Sequence, residues 1–142
     1  MSNKPTVVYM DGVFDLFHRG HLEAIRKAKN VRPNVHLIIG LCGDFEVTEY
    51  KRKPFFSEDD RYQILSSIKE IDQLVFPGPL VITKEFVEKH NIDLIVHGFA
   101  NSSDSQKQST FVEQVIDKFE TLPYYLPIST SALLKEIRER QM

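Results

Sequence analysis

Short, almost wholly apolar runs alternate along this chain with longer segments of helical period, and that alternation constrains the fold most. "TVVYM" (6–10), "VHLIIGLC" (35–42), "QLVF" (73–76) and "DLIVHG" (93–98) read as strands too apolar for a sheet with one wet face. Between the first two, "HLEAIRKAK" (21–29) sets Leu22, Ile25 and Ala28 on one helical face with the charges opposite. "SEDDRYQILSSI" (57–68) opens with a capping box from Ser57 to Asp60, with Asp in place of the usual Glu. "TKEFVEKH" (83–90) is a short helix with Thr83 as its N-cap. Farther on, "STFVEQVIDKFE" (109–120) is expected to be helical, "YYLP" (124–127) a short fifth strand, and "STSALLKEIRER" (129–140) the last helix. Buried strands separated by helices call for a parallel sheet covered on both faces, so the expectation is a doubly wound α/β fold with five parallel strands in one domain, 1–142. Ligands of such sheets bind beyond the C-terminal strand ends, at the switch in strand order. Those ends are expected at Asp11, Cys42 and His97 for the first, second and fourth strands.

Composition narrows the functional classes. With 142 residues and 42% apolar side chains the chain can bury a real core, and a net charge of −2 gives no cause for non-specific binding to nucleic acid or an acidic membrane. The single cysteine, Cys42, cannot form an intrachain disulfide and fits a reducing compartment; at the end of an apolar run it reads as a small buried side chain rather than a reactive thiol. "MSNKPTVVY" lacks the apolar stretch of a signal peptide, and no run approaches the ~18 apolar residues of a membrane span. A soluble, cytoplasmic protein is expected. The polar tract "ANSSDSQKQS" (100–109) follows a strand end and reads as a loop, with ligand contact left open.

The residues that carry chemistry lie in "GVFDLFHRGHLEAIRKAK" (12–29), where a buried strand passes into an amphipathic helix. His18 and His21 stand three apart with Gly20 between them. Gly20 lets a phosphate approach the backbone, and the helix N-terminus supplies free N–H donors and a partial positive charge. Two imidazoles there can donate hydrogen bonds to phosphate oxygens as charge builds in a transition state. A metal pair and two unconnected surface histidines are the competing readings; zinc needs three or four ligands, and no Cys or acidic cluster completes these two. No Walker-type G-x-x-x-x-G-K-[ST] string is present.

"DGVFDLFHRGH" resembles the signature of the HxGH cytidylyltransferases, specifically the choline-phosphate and ethanolamine-phosphate enzymes. Further stretches agree in order: "PNVHLIIGLCGD" (33–44) with the second strand, "EYKRKPFFSEDDRY" (49–62) with a Lys-containing loop and E-R-Y-type helix start, "IDLIVHG" (92–98) with the fourth strand, and "ISTSALL" (128–134) with the I-S-T-S helix start. The resemblance spans about residues 6–138 and implies a Rossmann-like fold. It also implies a reaction, transfer of CMP from CTP to phosphocholine, with Mg²⁺ accompanying CTP and held largely by the triphosphate. His18 and His21 are then expected to hold the CTP phosphates and, with Lys51, to be catalytic. Gly12, Val13, Phe14, His97 and Ile128, Ser129, Thr130 and Ser131 are expected around CTP. Lys51 is expected to bridge CTP and the acceptor, and Leu80, Gly98, Phe99 and Ser102 fall at the acceptor positions. Arg61 is expected near the phosphates or a dimer interface, or as a plain helix-surface arginine. Residue by residue, Lys51 also reads as a solvated loop lysine, His97 as a hydrogen-bonded core histidine, and Ser129 to Ser131 as simple N-capping.

The chain departs from that pattern in two places. The family's R-T-x-G before I-S-T-S is here Tyr124, Tyr125, Leu126 and Pro127, which removes a bidentate arginine and one N–H. Arg52 and Lys53, beside Lys51, are expected to compensate in part. The choline enzymes' acceptor tryptophan, aspartate and tyrosine are replaced by Leu80, Gly98 and Ser102; Phe99, Phe55 and Phe56 are candidates for another cage around a quaternary ammonium. Gly98 after His97 looks like the ethanolamine enzymes, whereas "DLFH" and "GLCGD" look like the choline enzymes. The alternatives are ethanolamine-phosphate transfer, an adenylyltransferase on the same fold, and a degenerate nucleotide-binding homologue without activity. The resemblance implies a homodimer, and "SALLKEIRER" is too short and mixed in charge for strong membrane binding.

Overall fold

The computed structural model describes residues 4–50, 53–98, 111–123 and 128–140. Five parallel strands, β1 (Thr6–Gly12), β2 (Val35–Leu41), β3 (Gln73–Val75), β4 (Leu94–Gly98) and β5 (Phe119–Leu122), form one sheet in the order β3-β2-β1-β4-β5. The helices are α1 (Arg19–Lys29), α2 (Asp44–Tyr50), α3 (Glu58–Ser66), α4 (Lys84–Lys89) and α5 (Thr130–Arg140). The order reverses at β1, which pairs with β2 from Thr6↔Val35 to Gly12↔Leu41 and with β4 at Val8↔Leu94 and Tyr9↔Ile95. The doubly wound Rossmann-like sheet expected from the apolar runs is therefore present, and its switch point lies between β1 and β4.

Side-chain alternation along β1 builds two cores. Val8 and Met10 face α1 and α3, packing with Ile25, Ala28 and Leu65; Val7 and Tyr9 face the opposite side, packing with Val87 of α4 and with Val112 and Val115. Both faces are thus covered, which is why the strands carry no regular polar alternation. The face of α1 expected from its period holds: Ile25 and Ala28 are buried and Leu22 is half-buried. Ser57 caps α3 by accepting from the Asp60 N–H at 3.1 Å, and Thr83 caps α4 by accepting from the Phe86 N–H at 3.1 Å. No helix among the described residues is long and apolar enough to cross a membrane.

The structure corrects three assignments. Within 109–120, residues Glu113–Lys118 form a 3₁₀ helix, and the chain is already in β5 at Phe119. Val112 and Val115 are buried three residues apart, a spacing that a 3₁₀ turn satisfies as well as an α-helix. Backbone pairing with β4, from Ile95↔Phe119 to Gly98↔Leu122, then overrides helical preference, so the fifth strand is 119–122; positions 124–127 lie outside the described residues. Helix α2 has no sequence forecast, because a seven-residue helix that buries Val47 shows too little period to read. Strand ends fall at Gly12, Leu41 and Gly98, one residue from the expected positions.

One packing detail joins the sheet centre to its second core. The fully buried Tyr9 ring meets Phe86 edge-on at 5.1 Å, and its hydroxyl occupies the space that a Cβ at Gly40 would need. That hydroxyl has no hydrogen-bond partner among the described residues, and burial pushes the phenol far above its ordinary pKa, with the charges of Asp11 and Cys42 adding to the shift. Gly40→Ala is expected to cost ~2–3 kcal/mol, as overpacking against a rigid strand does. Tyr9→Phe, which removes an unsatisfied buried hydroxyl, is expected to be neutral or to stabilise by about 1 kcal/mol. Urea unfolding of the two variants checks both, and a marked loss in Tyr9→Phe would contradict the packing described.

Candidate functional site at the strand ends

Beyond Gly12 the chain turns through Val13–Phe17 before α1 begins. Gly12 is required here, since a Cβ on it would lie 2.8 Å from the buried Phe14 ring. Phe14 and Leu16 both adopt left-handed backbone, with φ of 56° and 50°, which costs about 1 kcal/mol or more per non-glycine residue. Between them, the buried Asp15 carboxylate accepts from the backbone N–H of Leu16 (3.1 Å), Phe55 (2.8 Å) and Phe56 (2.9 Å). The turn is therefore stitched to the segment that precedes α3.

The histidines close the turn by capping α1. His18 is the N-cap, and its Nδ1 accepts from the Gly20 N–H at 2.9 Å; the His21 Nδ1 accepts from the His18 N–H at 3.1 Å. This is a capping box built from two imidazoles. An Nδ1 that accepts a backbone N–H cannot carry a proton, so each ring is a neutral imidazole with its proton on Nε2. The rings lie 4.0 Å apart, where two cations would repel. Phe17 stacks on His21 at 5.3 Å, and Phe14 meets it at a tilt at 5.7 Å. Two polarised N–H donors thus sit at the positive end of a helix, at the sheet's switch point.

The last helix completes this edge. His18 Nε2 lies 3.4 Å from Thr130 Oγ1, which is also 3.4 Å from the Asp15 carbonyl oxygen. A Cβ at Gly20 would lie 3.1 Å from the Ile128 carbonyl oxygen, so the glycine admits the backbone that leads into α5. Ser129 Oγ accepts from the Ala132 N–H at 3.1 Å, and so caps α5. Phe14, His18, His21, Ile128, Ser129 and Thr130 are gathered here from opposite ends of the chain, beside Gly12 and Val13, whereas Ser131 is exposed on the first turn of α5. His97, near the end of β4, has Nδ1 3.8 Å from the buried Asp11 carboxylate. Strand alternation places that pair on the Tyr9 face, across the sheet from α1.

Other expected site residues fare differently. Arg61 is not a surface arginine: it is 0% exposed, and its guanidinium is bonded within its own fold. Nε donates to the Phe56 carbonyl (3.1 Å), Nη1 to the carbonyls of Val13 (2.9 Å) and Cys42 (2.7 Å), and Nη2 to Asp44 (2.6 Å). Three carbonyls and one carboxylate brought together near the strand ends attract a fork of donors that α3 supplies. Leu80 is half-buried after β3, Lys53 is exposed, and Gly98 pairs through its backbone with Leu122. Lys51, Arg52, Phe99 and Ser102 lie outside the described residues. Asp15 escapes sequence reasoning; an acid inside the apolar "GVFDLF" was the available signal. Among the described residues no three His, Cys, Asp or Glu side chains gather as a metal cage.

Burial holds the His18 imidazole below its ordinary pKa of 6.5. The folded chain therefore binds fewer protons than the unfolded chain as the pH falls past 6.5, so His18's contribution is intact above that value and is lost below it. His90 is also lowered, by burial and then by the Lys89 charge, and adds to the same slope. His18→Asn retains a capping side chain without a titrating group. Thermal melts between about pH 7.5 and 5.5 should show a shallower loss of stability in this variant than in the parent.

A family model described as "Cytidylyltransferase-like" matches residues 9–136. Among curated proteins, the chain is 37% identical over 139 residues to choline-phosphate cytidylyltransferase 2 of Arabidopsis thaliana, covering 96% of this chain and 46% of that protein. It is 37% identical over 91 residues to the ethanolamine-phosphate cytidylyltransferase of Mus musculus, covering 64% of this chain and 22% of that protein. It therefore spans less than half the length of either. Among solved structures, the lipopolysaccharide core biosynthesis protein from Thermoplasma volcanium GSS1 superposes with a TM-score of 0.64 at 22% identity, covering 84% of this chain and 97% of that one, a likeness of fold. With the match running from the first strand into the last helix and enclosing both imidazoles, this chain belongs to the cytidylyltransferase-like family.

Proposed function

We propose that the chain transfers CMP from CTP to phosphocholine, giving CDP-choline and pyrophosphate. The observation that carries the reading is the imidazole capping box, which leaves two neutral Nε2–H donors at a helix N-terminus beyond the strand ends. An acceptor phosphate oxygen attacks the α-phosphorus of CTP in line, and the bond from that phosphorus to the pyrophosphate oxygen breaks. Neither step needs a protein nucleophile, so catalysis is positioning plus charge stabilisation. His18 and His21 donate to the phosphate oxygens as negative charge grows, aided by the α1 dipole. Gly12, Val13 and Phe14 line the nucleotide, Ile128 to Ser131 present backbone N–H groups to it, and His97 approaches from the opposite face. Lys51 bridges the two phosphates, with Arg52 and Lys53 adding positive charge. Mg²⁺, bound with CTP and carried largely by the triphosphate, would neutralise phosphate charge.

The similarity to choline-phosphate cytidylyltransferase 2 over nearly the whole chain favours phosphocholine. Gly98 following His97, together with the mouse relative, supports phosphoethanolamine as the second reading. A cytoplasmic homodimer belongs to the same proposal. Turnover measured side by side with phosphocholine, phosphoethanolamine and glycerol phosphate, with CTP against ATP, is expected to show CTP-dependent release of pyrophosphate and strongest product formation with phosphocholine. His21→Ala is expected to lower kcat by about 10²–10³. Absence of any CDP-alcohol at saturating substrates, or parental turnover in His21→Ala, would reject the reading.

A further inference from the structure

We propose that Arg61 is a positioning residue for the paired imidazoles, acting through the turn that carries them. The turn from Val13 to Phe17 holds two non-glycine residues, Phe14 and Leu16, in left-handed backbone. A chain adopts such a conformation twice within three residues only where its surroundings over-determine it. Two groups do so here. The buried Arg61 guanidinium holds the Val13 carbonyl at the start of the turn, and the Asp15 carboxylate holds its middle against the N–H groups of Phe55 and Phe56. Arg61 also donates to the Phe56 carbonyl, so the strap that Asp15 grips is anchored by the same guanidinium.

The consequence reaches the imidazoles through the backbone. His18 follows Leu16 by two residues, and its N–H is the donor that occupies the His21 Nδ1. Rotation of the turn would swing that N–H away and free the His21 ring to exchange its proton between nitrogens. Arg61 therefore acts at a distance, by keeping the His21 ring in the Nε2–H form before any ligand arrives. This rests on reading those rings as phosphate donors, but its readout requires no ligand. A chain inactive toward every acceptor would defeat that reading and leave this test intact.

The experiment is ¹⁵N imidazole NMR of the ligand-free full chain near neutral pH. The parent is expected to show single Nε2–H forms at His18 and His21. Arg61→Lys, which keeps the charge but loses the fork, is expected to give averaged tautomer shifts at His21 with a cooperative melt retained; in turnover it should lower kcat more than it raises KM. A folded Arg61→Lys protein with parental shifts at both rings would overturn the proposal. Should that variant fail to fold, Asp15→Asn is read in the same way. Independently, Leu16→Gly is expected to melt above Leu16→Ala, the order imposed by a left-handed position. The reverse order would mean that the turn stores no strain for Arg61 to hold, and would overturn the proposal as well.

Discussion

The site depends on where two backbone N–H groups at the start of α1 send their hydrogen bonds. An ordinary N-cap uses a hydroxyl or carboxylate, which satisfies the donor and ends the matter. Here imidazole nitrogens accept, from Gly20 to His18 and from His18 to His21, and the choice has a second effect. It places each remaining proton on Nε2 and turns a structural cap into a pair of neutral donors. The two rings can touch because neither is charged, and Phe14 and Phe17 both pack against His21. Helix initiation and phosphate chemistry thus rest on the same bonds.

Around that cap the fold is organised by β1. Its two-residue period sends Val8 and Met10 toward α1 and Val7 and Tyr9 toward α4, so each face has its own core. The same period divides the polar groups at the strand's end. Asp11 lies with His97 on the Tyr9 face, while the turn after Gly12 carries the imidazoles to the other side. A ligand at the switch point between β1 and β4 would therefore meet neutral donors from one face and a carboxylate–imidazole pair from the other. The α5 start, reaching His18 through Thr130, closes the edge from the chain's far end.

Much of this was legible because it is local. Apolar runs report burial directly, and the H-x-G-H spacing needs only one helical turn to bring His18 and His21 together. Ser57 and Thr83 cap where their sequence neighbours predict. Arg61 shows the opposite case. Its charge and its place among Glu58, Asp59 and Asp60 suggest a solvated helix face, yet it is fully buried beneath the strand ends. Nothing near it in sequence reports the carbonyls of Val13 and Cys42, 48 and 19 residues away, which make burial tolerable. Asp15 is hidden for the same reason: two of the N–H groups that stabilise its buried carboxylate come from Phe55 and Phe56.

The sequence by itself determined the two-sided parallel sheet, the order of its strands through β4, and the pairing of His18 with His21 at a helix start, since burial period and helical spacing operate within a few residues. Tertiary structure alone decided which residues make the fifth strand, because pairing with β4 outweighs the local preference of 119–122. It likewise decided that Arg61 and Asp15 would be internal ties rather than surface charges. A buried ion is tolerable only when distant groups converge on it, and that convergence exists only once the chain has folded.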